Sequence, residues 1–348
     1  MIRKRIISAL LTVAVIVSLL PVYAMTTVEG IGQLSRLNSI TIGQDTKLSS
    51  STLYHSSAGK VEERYIEYTP NDVIQPVVAY GTKLYGLSTG KYVANYLEDN
   101  GKYVVAGING DFFQTTSGIP IGMVITDGII RSSHVDLSNV NAVGFMEDGS
   151  AIIGQPKMDI SLKTSGGQTV SIGYINKSRH NYSVYLLTPD YAATTKTTLE
   201  GTSIILTDIE GALTVGGTVT GTVGSIIKGK GEVPINEGTM VLTATTDNNC
   251  DAAFIGIEEG MDVTITVSVA DERWKDVVYA VGSGVKLVEN GSVLSGLDNT
   301  KAPRTALVVR ADGSIVFYTV DGRQAGYSAG LSLTSVAERM VSLGCVEA

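Results

Sequence analysis

The sequence predicts an α+β fold: a mixed β-sheet core with a few covering helices and an inserted β-rich subdomain at about 157–270. Three observations carry that expectation. Of 348 residues, 39 are Gly, 43% are hydrophobic and 17% are charged, a composition that can bury a core and favours short strands joined by tight turns. Asp-Gly or Asn-Gly pairs separate apolar runs at Asp127-Gly128, Asp148-Gly149, Asn290-Gly291 and Asp312-Gly313, which is a hairpin signal. Two stretches, one before Gly101 and one from about Thr334, carry helical spacing instead.

The chain opens with "MIRKRIISALLTVAVIVSLLPVYAM". Arg3, Lys4 and Arg5 precede an apolar run over residues 6–20, Pro21 breaks it, and Ala24 offers a small cleavage residue. This is the layout of a secretory signal peptide over residues 1–24. The apolar run falls short of the roughly 20 residues a bilayer span needs, so cleavage is expected rather than anchoring. The mature protein is expected to be secreted or held at the cell surface, extracytoplasmic, with no stable membrane insertion. Residues 25–60 are rich in Ser, Thr and Gly and predict a flexible lead-in. One domain is expected over residues 61–348.

In "STGKYVANYLEDNG", Ser88 or Thr89 can cap a helix whose apolar face is Tyr92, Val93, Tyr96 and Leu97, with Gly101 closing it. "KYVVAGI" follows, apolar at successive positions, and predicts a strand covered on both faces. At its end stands "NGDFF", residues 109–113: an amide and a carboxylate ahead of two aromatic rings. Gly118, Pro120 and Gly122 then make a rigid turn before the hairpins begin. Between 157 and 270 Thr, Val, Ile and Gly dominate, and "INKSRHNYSVYLLTPDY" is the most polar piece. That region reads as structural support. Beyond it come "VVYAVGSGVKLVENGSV", two strands around Asp312-Gly313, and a final helix. Thr334 can cap that helix, or Ser335 through the spacing to Glu338, and Gly344 stops it.

A net charge of −8 argues against broad electrostatic binding to nucleic acid or anionic membranes. His55, His134 and His180 have no metal-ligand spacing, and neither Cys250 nor Cys345 has a neighbouring His. No metal, cofactor or thiol nucleophile is expected. Read as a two-residue loop, Asp312-Gly313 places Arg304 opposite Asp321, with Pro303 and Arg323 alongside. A guanidinium fork suits phosphate, and an Asp can serve as acid, base or nucleophile at a sugar carbon. Asn109 and Asp111 offer a second amide and carboxylate. Gly282, Ser283 and Gly284 allow close backbone approach and supply amide donors, but no helix follows them, so they make no nucleotide fingerprint.

In this order, "NGDFF…GIPIGMVITDG", "VGSGVKLVENG" and "APRTALVVRADGSIVFYTVDGRQ…GLSLTSVAERMVSLG" resemble the phosphodiester glycosidase family from about residue 61 onward. The resemblance implies cleavage of a sugar-1-phosphodiester, releasing the sugar and a phosphomonoester. Its motifs fall on Asn109, Asp111, Phe112, Gly122, Gly284, Pro303, Arg304, Thr305, Asp321, Gly322 and Arg323. Asp111 and Asp321 are the expected catalytic residues. Asn109, Phe112, Gly122, Ser283, Gly284, Arg304, Thr305 and Arg323 are expected to bind the substrate, a carbohydrate phosphodiester of cell-wall or exopolysaccharide glycans. Family members continue past the final helix into an "NLDGGGS"-type loop, whereas this sequence stops at "CVEA". The domain is therefore expected to be incomplete at its carboxyl end and the chain as written to have little or no activity. A non-catalytic surface carbohydrate-binding module of the same fold is the alternative expectation.

Overall fold

Turn residues set the strand boundaries in the computed structural model, which describes residues 25–133, 141–180, 182–282 and 284–348. The signal-peptide reading of residues 1–24, His134 and Ser283 lie outside the described residues. Four strands come first: β1 (Thr26–Val28), β2 (Gly32–Gly43), β3 (Thr46–His55) and β4 (Gly59–Tyr68). Helix α1 (Gly90–Asp99) follows, then hairpins β5 (Val124–Thr126) with β6 (Ile129–Ser132) and β7 (Ala142–Met146) with β8 (Ala151–Gly154). The β-rich stretch comprises β9 (Met158–Thr164), β10 (Thr169–Ile172), β11 (Tyr174–Ile175) and β12 (Tyr185–Leu187). It continues through β13 (Gly201–Gly211), β14 (Thr218–Gly229), β15 (Met240–Thr245) and β16 (Asp262–Val269). After it stand β17 (Val277–Gly282), β18 (Val288–Glu289), β19 (Ser292–Val293), β20 (Arg304–Arg310) and β21 (Ile315–Val320). Helix α2 (Leu333–Ser342) and β22 (Cys345–Glu347) end the chain.

These elements stack in layers. A seven-stranded sheet runs in the order β1-β2-β3-β4-β21-β20-β22. One of its faces buries Val61, Val308, Val316, Tyr318 and Val320 against Val336, Ala337 and Met340 of α2. Its other face packs Ile315, Leu307 and Phe317 on Val143, Phe145, Tyr279 and Val281 of the five-stranded sheet β6-β5-β17-β7-β8. The far side of that sheet shares a core with the eight-stranded sheet β10-β9-β16-β14-β13-β15-β12-β11, through Met123, Ile125, Ala280 and the fully buried Trp274. Because the eight-stranded sheet and its neighbour bury one another's apolar side chains, neither face could be exposed without a large transfer cost. Strands dominate, so the fold is mostly β rather than an even α+β mixture.

Several expectations change. Residues 25–60 are not a loose lead-in but one short strand, two long ones and the start of a fourth. Their Ser and Thr side chains occupy buried positions in β3, where Leu53 is fully covered and Ser51 donates to Glu63 at 2.5 Å. Small hydroxyl residues thus serve a polar interior, which composition alone reads as looseness. "KYVVAGI" forms no strand, and Tyr103 is 89% exposed. Successive apolar residues create a demand for cover, but a strand also needs a pairing partner, and this segment pairs with none of the described strands. Helix α1 starts with Thr89, whose hydroxyl accepts from the Tyr92 amide at 3.2 Å. Helix α2 is capped by Ser332, earlier than Thr334 or Ser335, and its hydroxyl accepts from the Ser335 amide at 3.0 Å.

The decisive change is one of register. Arg304 lies opposite Val320, not Asp321. The Arg310 amide donates to Ser314 O at 2.8 Å, so residues 311–313 form a three-residue loop. Asp312 accepts both the amide and the hydroxyl of Ser314, at 2.9 and 2.6 Å, and Gly313 takes φ +81°. That is a type I turn closed by a left-handed glycine. Asp148-Gly149-Ser150 repeats it. At Asp127-Gly128 and Asn290-Gly291 both loop residues have positive φ, and a two-residue loop results. A slip of one residue sends every side chain to the opposite face.

Candidate functional site

Alternation along β20 and β21 separates two rows. Arg304 and Val320 share the α2 face, and Thr305 and Thr319 share the face turned to the five-stranded sheet. Asp321, next after β21, continues the second row. Across it, Thr305 Oγ1 donates to Asn109 Oδ1 at 3.0 Å, joining residues 196 positions apart. Asn109 therefore stands at a gap where the end of β21 and the end of β17 approach.

Asp111 sits on the β17 side of that gap. Its Oδ2 accepts the Gly122 amide. Gly122 and Gly282 cross so closely that a Cβ on Gly122 would come within 2.6 Å of both Gly282 Cα and Asp111 Oδ2. Glycine at both places leaves the carboxylate its seat. Phe112 is 69% exposed and lies beside Gly284, while Phe113 makes a β-bridge to Pro120. Burial pushes the Asp111 carboxyl above its ordinary range, against the lowering effects of the Gly122 amide, the Lys177 charge and the Phe112 amide. Lys177 lies beneath, only 4% exposed, its Nζ donating to the carbonyls of Pro120, Ile121 and Gly122.

Asp321 finds its guanidinium on another strand. Arg64 Nη1 donates to Asp321 Oδ2 at 2.7 Å, and Nη2 donates to the Tyr327 hydroxyl at 3.2 Å. Tyr327 reaches Asp321 Oδ2 at 3.3 Å, so the three side chains close a triangle. The hydrogen bonds it donates to Tyr327 and Asp321 hold the Arg64 guanidinium above its usual value. Arg304 instead donates to Asp298 at 3.0 Å and to the carbonyls of Thr300 and Leu331. It secures a loop on the α2 side. Arg323 is exposed with φ +59° and has no ion pair among the described residues. A non-glycine residue in that region carries strain that the surroundings must hold in place. Gly322 before it is clamped, since a Cβ there would lie 2.5 Å from Pro303 N.

Motif segments far apart in the chain thus meet at the Thr305–Asn109 contact, and the carboxyl-terminal ones lie inside a family match. Residues 208–348 match the phosphodiester glycosidase family. No curated protein matches the sequence. The fold recurs in a hypothetical protein from Synechocystis, TM-score 0.70 at 17% identity over 90% of this chain and 57% of that one. It recurs also in a Burkholderia pseudomallei protein described as a candidate exported protein, TM-score 0.71 at 13% identity over 93% of this chain and 92% of that one. This chain spans a little over half the length of the Synechocystis protein. A third similar structure is the catalytic domain of zebrafish N-acetylglucosamine-1-phosphodiester α-N-acetylglucosaminidase, auto-inhibited by its pro-peptide. It gives TM-score 0.37 at 11% identity over 90% of this chain and 73% of that one. Among the described residues, no helix is long and apolar enough to cross a membrane.

Three residues of this arrangement escape sequence reasoning: Arg64, Tyr327 and Lys177. Arg64 is one charge in "VEERYIEYT" and gains meaning only when β4 pairs with β21. Tyr327 follows a turn that returns it to Asp321. Lys177 stands in the polar stretch of the β-rich region, where polarity alone reads as surface.

Proposed function

We propose that this protein is an exported hydrolase of sugar-1-phosphodiesters in cell-wall or exopolysaccharide glycans, releasing the sugar and leaving a phosphomonoester. The observation that carries this is the Thr305–Asn109 hydrogen bond at 3.0 Å, which joins the two motif segments: Asp111 follows Asn109 by two residues, and Asp321 follows by two residues Thr319, the partner of Thr305 across the strands. Asp111 and Asp321 supply the carboxylates. An oxocarbenium-like transition state at the anomeric carbon favours such a pair. Arg64, with Arg323 beside Asp321, supplies cationic donors for the departing phosphate. Arg304 holds the neighbouring loop, Asn109 and Thr305 orient substrate, and the Phe112 ring offers a stacking face to a sugar. Water adds to the anomeric carbon, the bond from that carbon to the bridging oxygen breaks, and the oxygen leaves on phosphorus.

Hydrolysis in ¹⁸O-labelled water tests the reading. Label is expected in the released sugar. Label in the phosphomonoester means attack at phosphorus and overturns the mechanism. Binding of sugar phosphodiesters without turnover would make the protein a carbohydrate-binding module instead. Because burial raises the Asp111 carboxyl, activity that uses its ionised form should fall off at a pH above the ordinary carboxylate range, roughly 4. Asp111→Asn should abolish that limb with the activity.

A further inference from the structure

Lys177 is a cost unless something uses it. A lysine removed from water loses the hydration of its charge, and such residues are retained where their charge is paired or put to use. Its surroundings are built with unusual completeness. Asn176 beside it is fully buried in the left-handed region at φ +52°. The Asn176 amide group donates to Arg131 O at 2.7 Å and to the Thr188 hydroxyl at 2.8 Å, and its carbonyl accepts the Thr188 amide at 2.7 Å. These bonds fix the backbone that aims Lys177 inward. On the far side, the Arg179 guanidinium is buried and donates to Thr243 and to the Leu199 carbonyl. The segment is therefore locked at both ends to the eight-stranded sheet.

What it is aimed at is one turn. The carbonyls of Pro120, Ile121 and Gly122 all accept from Lys177 Nζ, matching an ammonium's three donors. The same turn gives its Gly122 amide to Asp111. We infer that Lys177 is the positioning residue for Asp111: by drawing three carbonyls to one side, it presents the Gly122 amide to the carboxylate and adds a cation behind it. The eight-stranded sheet thereby contributes to the site, where sequence reasoning assigned it support alone. This rests on the proposed role of Asp111. Asp111 is the charged group facing Lys177, and the Arg131–Asp190 pair beside Asn176 closes at 2.9 Å, with Asp190 also accepting from the Tyr80 and Thr188 hydroxyls. Burial draws the Lys177 amine down to about 7, with Asp111 acting the other way.

The test is carboxyl ¹³C NMR titration of Asp111, assigned through Asp111→Asn, in the full chain and in Lys177→Met. Loss of the cation should raise the Asp111 midpoint by about one pH unit and carry the acid limb of kcat with it, while KM stays within roughly threefold of wild type. An unchanged midpoint in folded Lys177→Met overturns the inference. Should that variant not fold, the reciprocal measurement decides: the Lys177 amine, followed through its ¹³Cε signal, should titrate lower in Asp111→Asn. An unchanged amine in that variant also overturns it. A wild-type protein that turns over no sugar phosphodiester would sink the glycosidase reading, yet the two titrations would still decide whether Lys177 governs Asp111.

Discussion

Glu63 and Arg64 are consecutive on β4 and occupy different worlds. Glu63 is 1% exposed and accepts from Arg339 of α2 at 2.6 and 3.1 Å, from Ser51 and from Tyr318. Its charge is fully compensated, and the network ties α2 to the sheet. Arg64, on the opposite face, keeps half of its side chain in water and pairs with Asp321 and Tyr327. The two ion pairs have nearly equal lengths, 2.6 and 2.7 Å. The difference lies in desolvation. A buried charge that loses its partner is stranded, whereas an exposed one is taken up by water. Stability should reside in the first pair, and ligand chemistry can be built on the second because its charges remain open to a ligand.

The largest effect expected from separating the two is on folding. Arg339→Met strands Glu63 and should remove about 3–5 kcal/mol of stability, read from urea unfolding. Specific activity of the folded fraction should be unchanged. A smaller loss, near that of a surface pair, would mean that Glu63 is reached by water.

On the other face the effects should invert. Asp321→Asn should lower kcat/KM for a sugar phosphodiester by roughly 100-fold or more while shifting stability by no more than ~1 kcal/mol. Full activity in that variant would take Asp321 out of the chemistry. Arg64→Lys keeps the charge and loses the planar fork. A decrease of about tenfold in kcat/KM is expected, the scale of one charge-assisted hydrogen bond. Added salt should narrow the gap between the variant and wild type. If Arg304→Lys proves the more damaging change, the phosphate is held from the α2 side and the comparison fails.

Register is what assigns each residue to its face, and Ser314→Ala probes it most gently. The variant loses the hydroxyl's hydrogen bond to Asp312 and keeps the backbone amide's. A stability loss of about 1 kcal/mol is expected, with cross-strand NOEs still pairing Arg304 with Val320. NOEs that moved Arg304 opposite Asp321 would show that the serine hydroxyl alone selects the loop.

Much of the fold is legible in the sequence where the determinant is local. Asp127-Gly128 and Asn290-Gly291 give two-residue hairpins because both central residues adopt positive φ, a preference carried by those residue types. Helix α1 begins at Thr89 and ends before Gly101, as its capping residues imply. The strand-and-turn rhythm between 157 and 270 reads directly as β9 to β16. Of the candidate site, the motif segments are visible, and Asn109 and Thr305 can be named before any fold is known. The Asp312-Gly313 loop marks where this legibility stops: the pair announces a hairpin, but the loop also takes in Ala311 and closes on Ser314, which shifts the register by one.

Partners across space are beyond local reading. "KYVVAGI" has the pattern of a strand and pairs with none of the described strands. Residues 25–60 have the composition of a linker, yet β3 lies between β2 and β4 and buries its hydroxyls around Glu63. The sequence by itself determined the turns, much of the capping, the apolar rhythm and the motif segments of the candidate site, because each depends on neighbours a few positions away. The tertiary structure decided that Arg64 rather than Arg304 meets Asp321, that Glu63 meets Arg339, and that Lys177 lies under Asp111. Those depend on strand order, on a register carried by a three-residue loop, and on desolvation, which acts only once distant segments have packed.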